Sequence, residues 1–528
     1  MSEPELDLNK TTAPTEADRM AKNSLSSVDV SIDMPPDNKT VFISPESASD
    51  RSGISSKASQ VNMEDIVSLC KRRGFIFQGS EVYGGLSGTW DYGPLGVTLK
   101  RNIMKLWWDM FIDGRDDMYG VDAAILMNQK VWQASGHTDT FTDPLVECMS
   151  CHVRFRADKI DLDAPCQSCK KPSNFSQPEN FNMMLKTVMG PKYSSWDRKK
   201  AGGLEASVVF KNEMGEPEKQ FALKDVYNEF GGFMFYDPID VSYLRPETAQ
   251  GIFTNFKNVV DTFYPDLPFG IGQQGKAFRN EISPRDFVFR SREFEQMEIE
   301  YFVDPTKWEE SFEMWVNLCK EWFTAIGLPA DKIHELEVEG ADRAHYSKRT
   351  IDFEFDFPIG REELMGLAYR TDFDLKNIER VAGKNMKYAP KAGGPAFVPH
   401  VIEPSFGVER AIMAVLCSAY REDELNGEKR VYLALPDHIA PVKYVVSPLV
   451  RNKPELVAKA REVYEMMRKK YGAVMWDDNS NVGKRYRRAD EIGVPYCITI
   501  DFQTLEDNTV TVRDRNSSLQ SRQASTSI

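Results

Sequence analysis

Beyond residue 60 the order of apolar and polar positions changes period several times. Met63-Glu-Asp-Ile-Val-Ser-Leu-Cys-Lys-Arg-Arg-Gly74 predicts a short amphipathic helix closed by Gly74. Val97–Phe111 predicts a helix bearing Trp107 and Trp108, either part of an oligomer interface or an ordinary core helix. Phe278-Arg-Asn-Glu281 and Arg292-Glu-Phe-Glu-Gln-Met-Glu298 read at a strand's period of two. Arg279 and Glu281 then share one face, as do Phe294, Gln296, Glu298 and Glu300. Ionisable and amide groups stand where a buried strand normally places Val or Ile. The connecting loop carries Arg285, Arg290 and Arg292. Such an antiparallel pair offers a guanidinium for phosphate, an aromatic face for a base and carboxylates for amines; a structural hairpin with solvated charges is the alternative. Near the C-terminus, Val431–Pro436, Lys443–Pro448, a helix over Pro454–Tyr471 and Cys497–Asp501 alternate strand and helix, predicting an α/β domain with parallel pairing.

Composition narrows the class. The 528 residues suit about three domains, and 41% hydrophobic content suffices for folded cores. A net charge of −14 argues against indiscriminate nucleic-acid binding but permits a local basic groove. Eight cysteines are too few for a disulfide scaffold, and no apolar run approaches the roughly 20 residues of a membrane span. The expected location is the cytoplasm. Residues 1–60, acidic and nearly free of aromatics, are expected as a disordered tail, not an organelle presequence.

Cys148-Met-Ser-Cys151 and Cys166-Gln-Ser-Cys169 are two CxxC knuckles. Their spacing suits a closed, structural tetrahedral zinc site on Cys148, Cys151, Cys166 and Cys169. The glycines of Tyr83–Gly96 lack the lysine–serine ending of a phosphate loop and read better as a loop packing aromatics. Leu244-Arg-Pro-Glu-Thr-Ala-Gln-Gly-Ile-Phe253 crowds polar groups beside a helix start expected at Pro246. Ile402-Glu-Pro-Ser-Phe-Gly-Val-Glu-Arg410 leads a strand into a helix over Ala411–Leu416. Arg410 in its first turn opposes the helix dipole, suggesting a bound anion or base, with a solvated arginine as the alternative. Gly360–Asp374 is a strand-like run bounded by charges.

Phe278–Glu281 resembles motif 2 of class II aminoacyl-tRNA synthetases, and Gly407-Val-Glu-Arg410 resembles motif 3. Leu244–Phe253, Glu403–Gly407 and Trp132-Gln-Ala-Ser-Gly-His137 are similar to the dimeric single-chain glycyl-tRNA synthetases, from about Glu64 to about Arg515. The resemblance implies an α+β catalytic domain, an antiparallel sheet flanked by helices. To this it adds a C-terminal α/β anticodon-binding domain and a zinc-ribbon-like insertion. It implies ATP-dependent glycine–tRNA ligation: glycine and ATP give glycyl-adenylate and pyrophosphate, then the acyl group moves to the tRNA 3′ end. Glycine's carboxylate is already a nucleophile, so catalysis reduces to positioning and charge stabilisation.

Arg279, Glu281 and Arg410 would be catalytic: Arg279 on the α-phosphate, Arg410 on adenine or the γ-phosphate. The implied ATP site adds Asn280, Phe289, Arg290, Ser291, Arg292, Glu293, Phe294, Glu363, Leu364, Gly407, Val408 and Glu409, with Mg²⁺ bridging the phosphates. Phe294 would stack on adenine. The implied glycine site comprises Arg156, Glu247, Phe294, Glu295, Gln296, Met297, Glu298, Glu403, Pro404, Ser405, Phe406 and Gly407. A larger amino acid is rejected only by clash, so this pocket must be full where a Cβ would point.

Within the anticodon-binding domain, Lys484, Arg485, Arg487 and Arg488 would contact tRNA, although solvated helix charge is the usual reading of such a run. The expected divisions are 1–60, 61–428, 429–515 and a flexible tail over 516–528; within the second lie the knuckle at 145–172 and insertions at 190–240 and 305–400. The resemblance also implies a homodimer, although Asn128-Gln129 stands where motif 1 normally ends in proline. A zinc hydrolase would need an open site and paired histidines, which six scattered histidines do not offer. A noncatalytic paralogue would be expected to lose Arg279 or Arg410.

Overall fold

The computed structural model describes residues 61–188 and 241–524, except 283, 285, 341–342, 345, 426 and 519. Between 189 and 240 it describes only the strands Ser194–Ser195, Ser207–Lys211, Pro217–Ala222 and Met234–Phe235. The expected N-terminal tail, Arg285 and most of the expected 190–240 insertion therefore lie outside the described residues.

Helix α1 (Met63–Arg73) is capped by Asn62, whose Oδ1 accepts from the Asp65 N–H, and stops at Gly74 with φ of +75°. Strands β1 (Ile76–Gln78) and β2 (Trp90–Tyr92) pair antiparallel, so the glycine-dense loop is a hairpin connection, with Trp90 packed edge-on against Phe287. Gly96 must be glycine: a Cβ there would collide with the Phe75 carbonyl. Helix α2 (Pro94–Trp108) begins on a proline and loosens into a π turn over Asp109–Asp113. Trp107 is fully buried against Phe111 and Phe406, and Trp108 sits against Gly120. Of the two readings of this helix, the structure favours the core.

The central sheet runs through β3 (Met118–Val121), β7 (Phe269–Phe278), β8 (Glu293–Val303), β9 (Ile333–Glu337), β10 (Arg349–Phe357), β11 (Gly360–Thr371) and β12 (His400–Gly407). Strands β4 (Thr142–Glu147), β5 (Arg154–Arg156) and β6 (Glu179–Asn182) form a separate small sheet of order β5-β4-β6. Among the described residues the central order is β9-β10-β11-β12-β8-β7-β3, antiparallel except for β7 beside β3. Helices α3 (Ala249–Phe263), α4 (Trp308–Ala325), α5 (Phe373–Ala382) and α6 (Val408–Ala419) connect and cover it.

Strand alternation sorts its two faces. Met297, Ile299, Phe353, Leu367 and Phe406 enter the core shared with α2, α4 and α6. Phe269, Ile271 and Phe302 pack on α3 through Phe253 and Phe256. Glu298 and Ser405 share that second face and lie opposite one another on β8 and β12. The stretch 305–400, expected as an insertion, supplies three strands of this sheet. Its buried Phe353, Phe355 and Leu367 make it core structure.

After α6 the chain forms the hairpin β13 (Tyr420–Leu425) and β14 (Glu428–Leu433), so Val431–Leu433, expected to open the α/β domain, pairs with β13 instead. The C-terminal unit contains β15 (Tyr444–Pro448), α7 (Pro454–Tyr471), β16 (Val474–Trp476), α8 (Val482–Glu491), β17 (Tyr496–Ile500), β18 (Thr509–Asp514) and β19 (Gln520–Ala524). Its sheet order is β16-β15-β17-β18-β19, parallel only between β15 and its two neighbours. Strand β19 lies in the expected flexible tail. Buried Arg515 anchors its approach by donating to the carbonyls of Gly493 at 2.7 Å and Leu435 at 2.8 Å, while the Ser518 hydroxyl accepts from Arg430 at 2.8 Å.

Candidate active site

The two strands expected from the Arg- and Glu-bearing runs are β7 and β8, paired from Phe269↔Phe302 to Phe278↔Glu293. Arg279 leaves the end of β7, its Nε donating to the Pro246 carbonyl at 3.2 Å. Its guanidinium lies 5.1 Å over the Phe294 ring, and that of Arg410 lies 4.7 Å over Phe289. Arg410 also pairs with Glu363 at 3.1 Å and donates to the Glu363 carbonyl at 3.0 Å. That contact is the main reason the Glu363 carboxyl is held below its ordinary value. A cavity of about 480 Å³ brings together Arg156, Arg279, Glu281, Arg290, Phe294 and Arg410 with Gln296, Ser405 and Gly407. Asp352, Glu354, Glu362 and Glu363 form an acidic wall on it. Burial, with Glu363 and Glu354 nearby, raises Asp352 to about 6.

Deeper on the same face is a buried polar network. Glu298 accepts from the Thr248 N–H at 3.1 Å, the Ser405 hydroxyl at 2.7 Å and the Thr248 hydroxyl. Gln296 donates weakly to both Glu298 and Ser405, while its Oε1 has no partner among the described residues. Glu247 faces His137 Nε2 at 3.2 Å, and His137 Nδ1 meets the Ser135 hydroxyl at 2.7 Å. Arg370 centres the network: it grips Asp374 at 2.9 and 3.0 Å, reaches Glu403 at 2.7 Å, and lies 3.9 Å under the Tyr346 ring.

Electrostatics divides these acids. Burial alone would raise Glu247, but His137, Arg370 and Arg279 outweigh it and hold the group at about 2. Burial raises Glu298, with Glu247 adding to the effect. Glu403 is raised to about 8 by burial despite Arg370. Glu300 is raised well above its ordinary range by burial and then by Glu403. Among the described residues the carboxylates of this network outnumber the arginines that reach them.

Several expected site residues have side chains elsewhere. Met297 and Phe406 are on the opposite face in the core, as strand alternation requires. Pro404, between Glu403 and Ser405, takes that face too. Glu295 pairs with Lys100 at 2.5 Å, and Glu293 with Lys276. The Glu409 carboxylate accepts from the Glu295 N–H at 2.9 Å, and burial raises it to about 7. Leu364 and Val408 are buried in the core although Leu364 edges the cavity. Arg292 clasps the Glu281 and Ser87 carbonyls, tying the motif 2 loop to the glycine-dense hairpin. The Ser291 hydroxyl donates to the Val288 carbonyl, and the Asn280 N–H to that of Met183. The helix expected from Pro246 starts at Ala249, because Thr248 is held by Glu298 instead of continuing the turn backwards.

Arg370, Asp374 and His137 carried no assignment. The available signal was a lone arginine ending the apolar run Leu364–Tyr369, and a histidine closing Trp132–His137.

The Cys148, Cys151, Cys166 and Cys169 sulfurs lie within 4.8 Å of one another, with Sγ pairs at 3.9 and 3.8 Å. A tetrahedron of thiolates at about 2.3 Å from zinc has edges of about 3.8 Å, so these residues fit that ion. Cys148 directly follows β4 and Cys151 leads into β5, which delivers Arg156 to the cavity.

On α8 the expected RNA contacts separate. Arg485 is buried and donates to the carbonyls of Pro448, Asp478, Asn479 and Ser480, so it holds the loop before its own helix. Arg488 pairs with Asp477 at 2.7 Å and Arg487 with Glu428, while Lys484 is exposed.

Comparison with known proteins gives the family. Residues 233–419 match the tRNA synthetase class II core domain (G, H, P, S and T), and residues 443–526 match the anticodon binding domain. A glycine–tRNA ligase of Cutibacterium acnes is 41% identical over 490 residues, covering 88% of this chain and 94% of its own. One from Borrelia garinii is 43% identical over 466 residues, covering 88% and 95%. Among solved structures, Giardia lamblia prolyl-tRNA synthetase in complex with prolyl-adenylate aligns with a TM-score of 0.57 at 15% identity, over 90% of this chain and 76% of that one, a likeness of fold.

Proposed function

This chain belongs to the glycine–tRNA ligases, and we propose that the sheet face built by β8, β11 and β12 performs the ATP-dependent activation of glycine. The activity is ligation of glycine to its tRNA, on a class II core that uses ATP. The observation carrying the site reading is that Arg279, Phe294 and Arg410 share one cavity with Ser405 and Gln296, directly above the buried acids.

ATP occupies the cavity. Its α-phosphate meets Arg279, whose forked donors match two phosphate oxygens. That guanidinium already lies over Phe294, so the adenine stacks beside it on the same ring. Arg410 and Arg290 take the distal phosphates. The acidic wall of Asp352, Glu354, Glu362 and Glu363 would offer hard oxygen donors to a Mg²⁺ accompanying ATP.

Glycine enters below. Its α-ammonium is received by Glu247, Glu298 and Glu403 with the free Gln296 oxygen, and its carboxylate faces the α-phosphate. These groups fill the place a Cβ would need, so a methyl group meets carboxylates rather than open apolar space. Arg279 stabilises charge developing at phosphorus, and the tRNA 3′ hydroxyl then takes the acyl group from the adenylate.

The four thiolates would hold a structural zinc, with all four positions taken by protein sulfur. Among the described residues eight cysteines are unbridged and no helix is long and apolar enough to cross a membrane. Lys484 and Arg487 remain for tRNA, with catalytic domain and anticodon domain meeting near the β13–β14 hairpin. A homodimer joins at edge strand β3, where Tyr119 packs on Phe263 and both Phe263 and Tyr264 stay exposed.

Charging of a glycine tRNA transcript with labelled glycine tests this reading. Arg279→Ala is expected to cut adenylate formation by about 100-fold or more while leaving the fold intact. Wild-type charging rates in that variant would refute the assignment.

A further inference from the structure

Neither carboxylate oxygen of Glu300 has a hydrogen-bond partner among the described residues, and the side chain is fully buried. It stands two residues beyond Glu298 on the same face of β8. The flanking pairs Glu298↔Ser405 and Tyr301↔Ile402 set it across from Glu403 on β12. Arg370 on β11 gives its hydrogen bonds to Asp374 and Glu403. From the turn before α3 comes Glu247, backed by His137, while α3 itself brings the neutral Gln250. Strand β7 places neutral Ile271 and Gln273 opposite Glu300 and Glu298, and Tyr346 caps Arg370. Among the described residues the arginines facing Glu247, Glu298, Glu300, Glu403 and Asp374 are Arg370, which already serves Asp374 and Glu403, with Arg279 near Glu247 and Arg245 near Glu298, so the five acids outnumber them. Two carboxylates side by side in a dry site do not both ionise without a further positive charge.

We propose that Glu300 and Glu403 share one proton until glycine binds, and that the arriving α-ammonium expels it to solvent. Occupancy of the amino-acid pocket is then coupled to release of one proton. The balance is simple: ammonium and acid pair enter, ammonium with two carboxylates and a solvent proton leave, and no other bond changes. The raised Glu300 and Glu403 carboxyls agree with this geometry. The inference rests on the amino-acid pocket proposed above. It adds that glycine affinity climbs with pH, by up to about tenfold per unit while the pair holds its proton.

Calorimetry of the full chain with glycine alone, near pH 7 in buffers of differing ionisation enthalpy, reads the proton directly. The expected apparent enthalpy varies linearly with buffer enthalpy, with a slope of about one proton released. Glu300→Gln keeps the shape, removes the shared proton, and is expected to bring the slope near zero and flatten affinity against pH. Glycine heats independent of buffer would overturn the proposal, as would undiminished release in Glu300→Gln. If that variant fails to fold, the infrared band of a protonated carboxylic acid in the wild type serves instead. The difference spectrum on glycine saturation should show loss of about one carboxylic acid, and an unchanged band would overturn the proposal. Absence of any glycine binding would contradict the pocket itself along with its proton coupling.

Discussion

Arg370 shows how much one buried side chain decides. It neutralises Asp374 and Glu403 at hydrogen-bond distance and is only 2% exposed. Arg370→Leu removes a partner from buried carboxylates, a change that typically costs about 3–5 kcal/mol. A clear fall in the urea midpoint is expected, and an unchanged midpoint would contradict its central place. The raised acids predict a pH trend as well. An acid whose folded pKa exceeds its unfolded value of about 4.3 adds stability below that value and loses it as pH rises through the folded one. Glu298, Glu300 and Glu403 are all raised, Glu403 to about 8. The melting temperature of the protein without glycine should therefore fall between pH 5 and 8. Glu247 is held at about 2 and contributes equally throughout that window. A flat or rising profile would count against the buried acid cluster. Sequence pattern alone marked Glu247, Glu298 and Glu403 through their family motifs. It did not mark Arg370, because a residue's worth here comes from Asp374 and Glu403, which reach it from separate elements.

At the scale of elements, the β7–β8 pair was legible because period-two placement of Phe294, Gln296, Glu298 and Glu300 survives any choice of partner strand. The same rule turns the Met297 and Phe406 side chains to the core face. Helix α8 was less legible. Its basic run looks uniform in sequence, yet Arg485 is consumed by four carbonyls. Arg485→Ala is expected to destabilise the C-terminal domain by about 1–3 kcal/mol, through carbonyls left unsatisfied. Lys484→Ala should instead weaken tRNA binding and reduce its salt dependence with no change in melting. The reverse pattern would return Arg485 to the RNA surface. The knuckle makes a similar link: Cys151 leads directly into the strand carrying Arg156. Cys151→Ser is expected to lose about one equivalent of zinc and lower the melting temperature. Full metal content with unchanged melting would argue against the four-thiolate site.

The whole molecule joins a mixed sheet with a two-faced logic to a smaller α/β unit. One face of the central sheet is apolar and packed by α2, α4 and α6. The other exchanges apolar residues for arginines and carboxylates wherever the cavity reaches it. Fold class was readable because long alternating runs and ordered motifs persist over most of the chain. The sheet's membership was not, since the hairpin series β9-β10-β11 joins β8 only through β12, whose pairing of Ser405 with Glu298 spans a sequence separation that local pattern does not encode. The central claim is that this face selects ATP and the smallest amino acid together. The most direct measurement is amino-acid-dependent exchange of pyrophosphate into ATP across all twenty amino acids. Glycine should support exchange strongly, with alanine and serine weaker by at least about 100-fold, the discrimination available from a steric clash in a filled pocket. Exchange with alanine at the glycine rate, or none with glycine, would contradict the account.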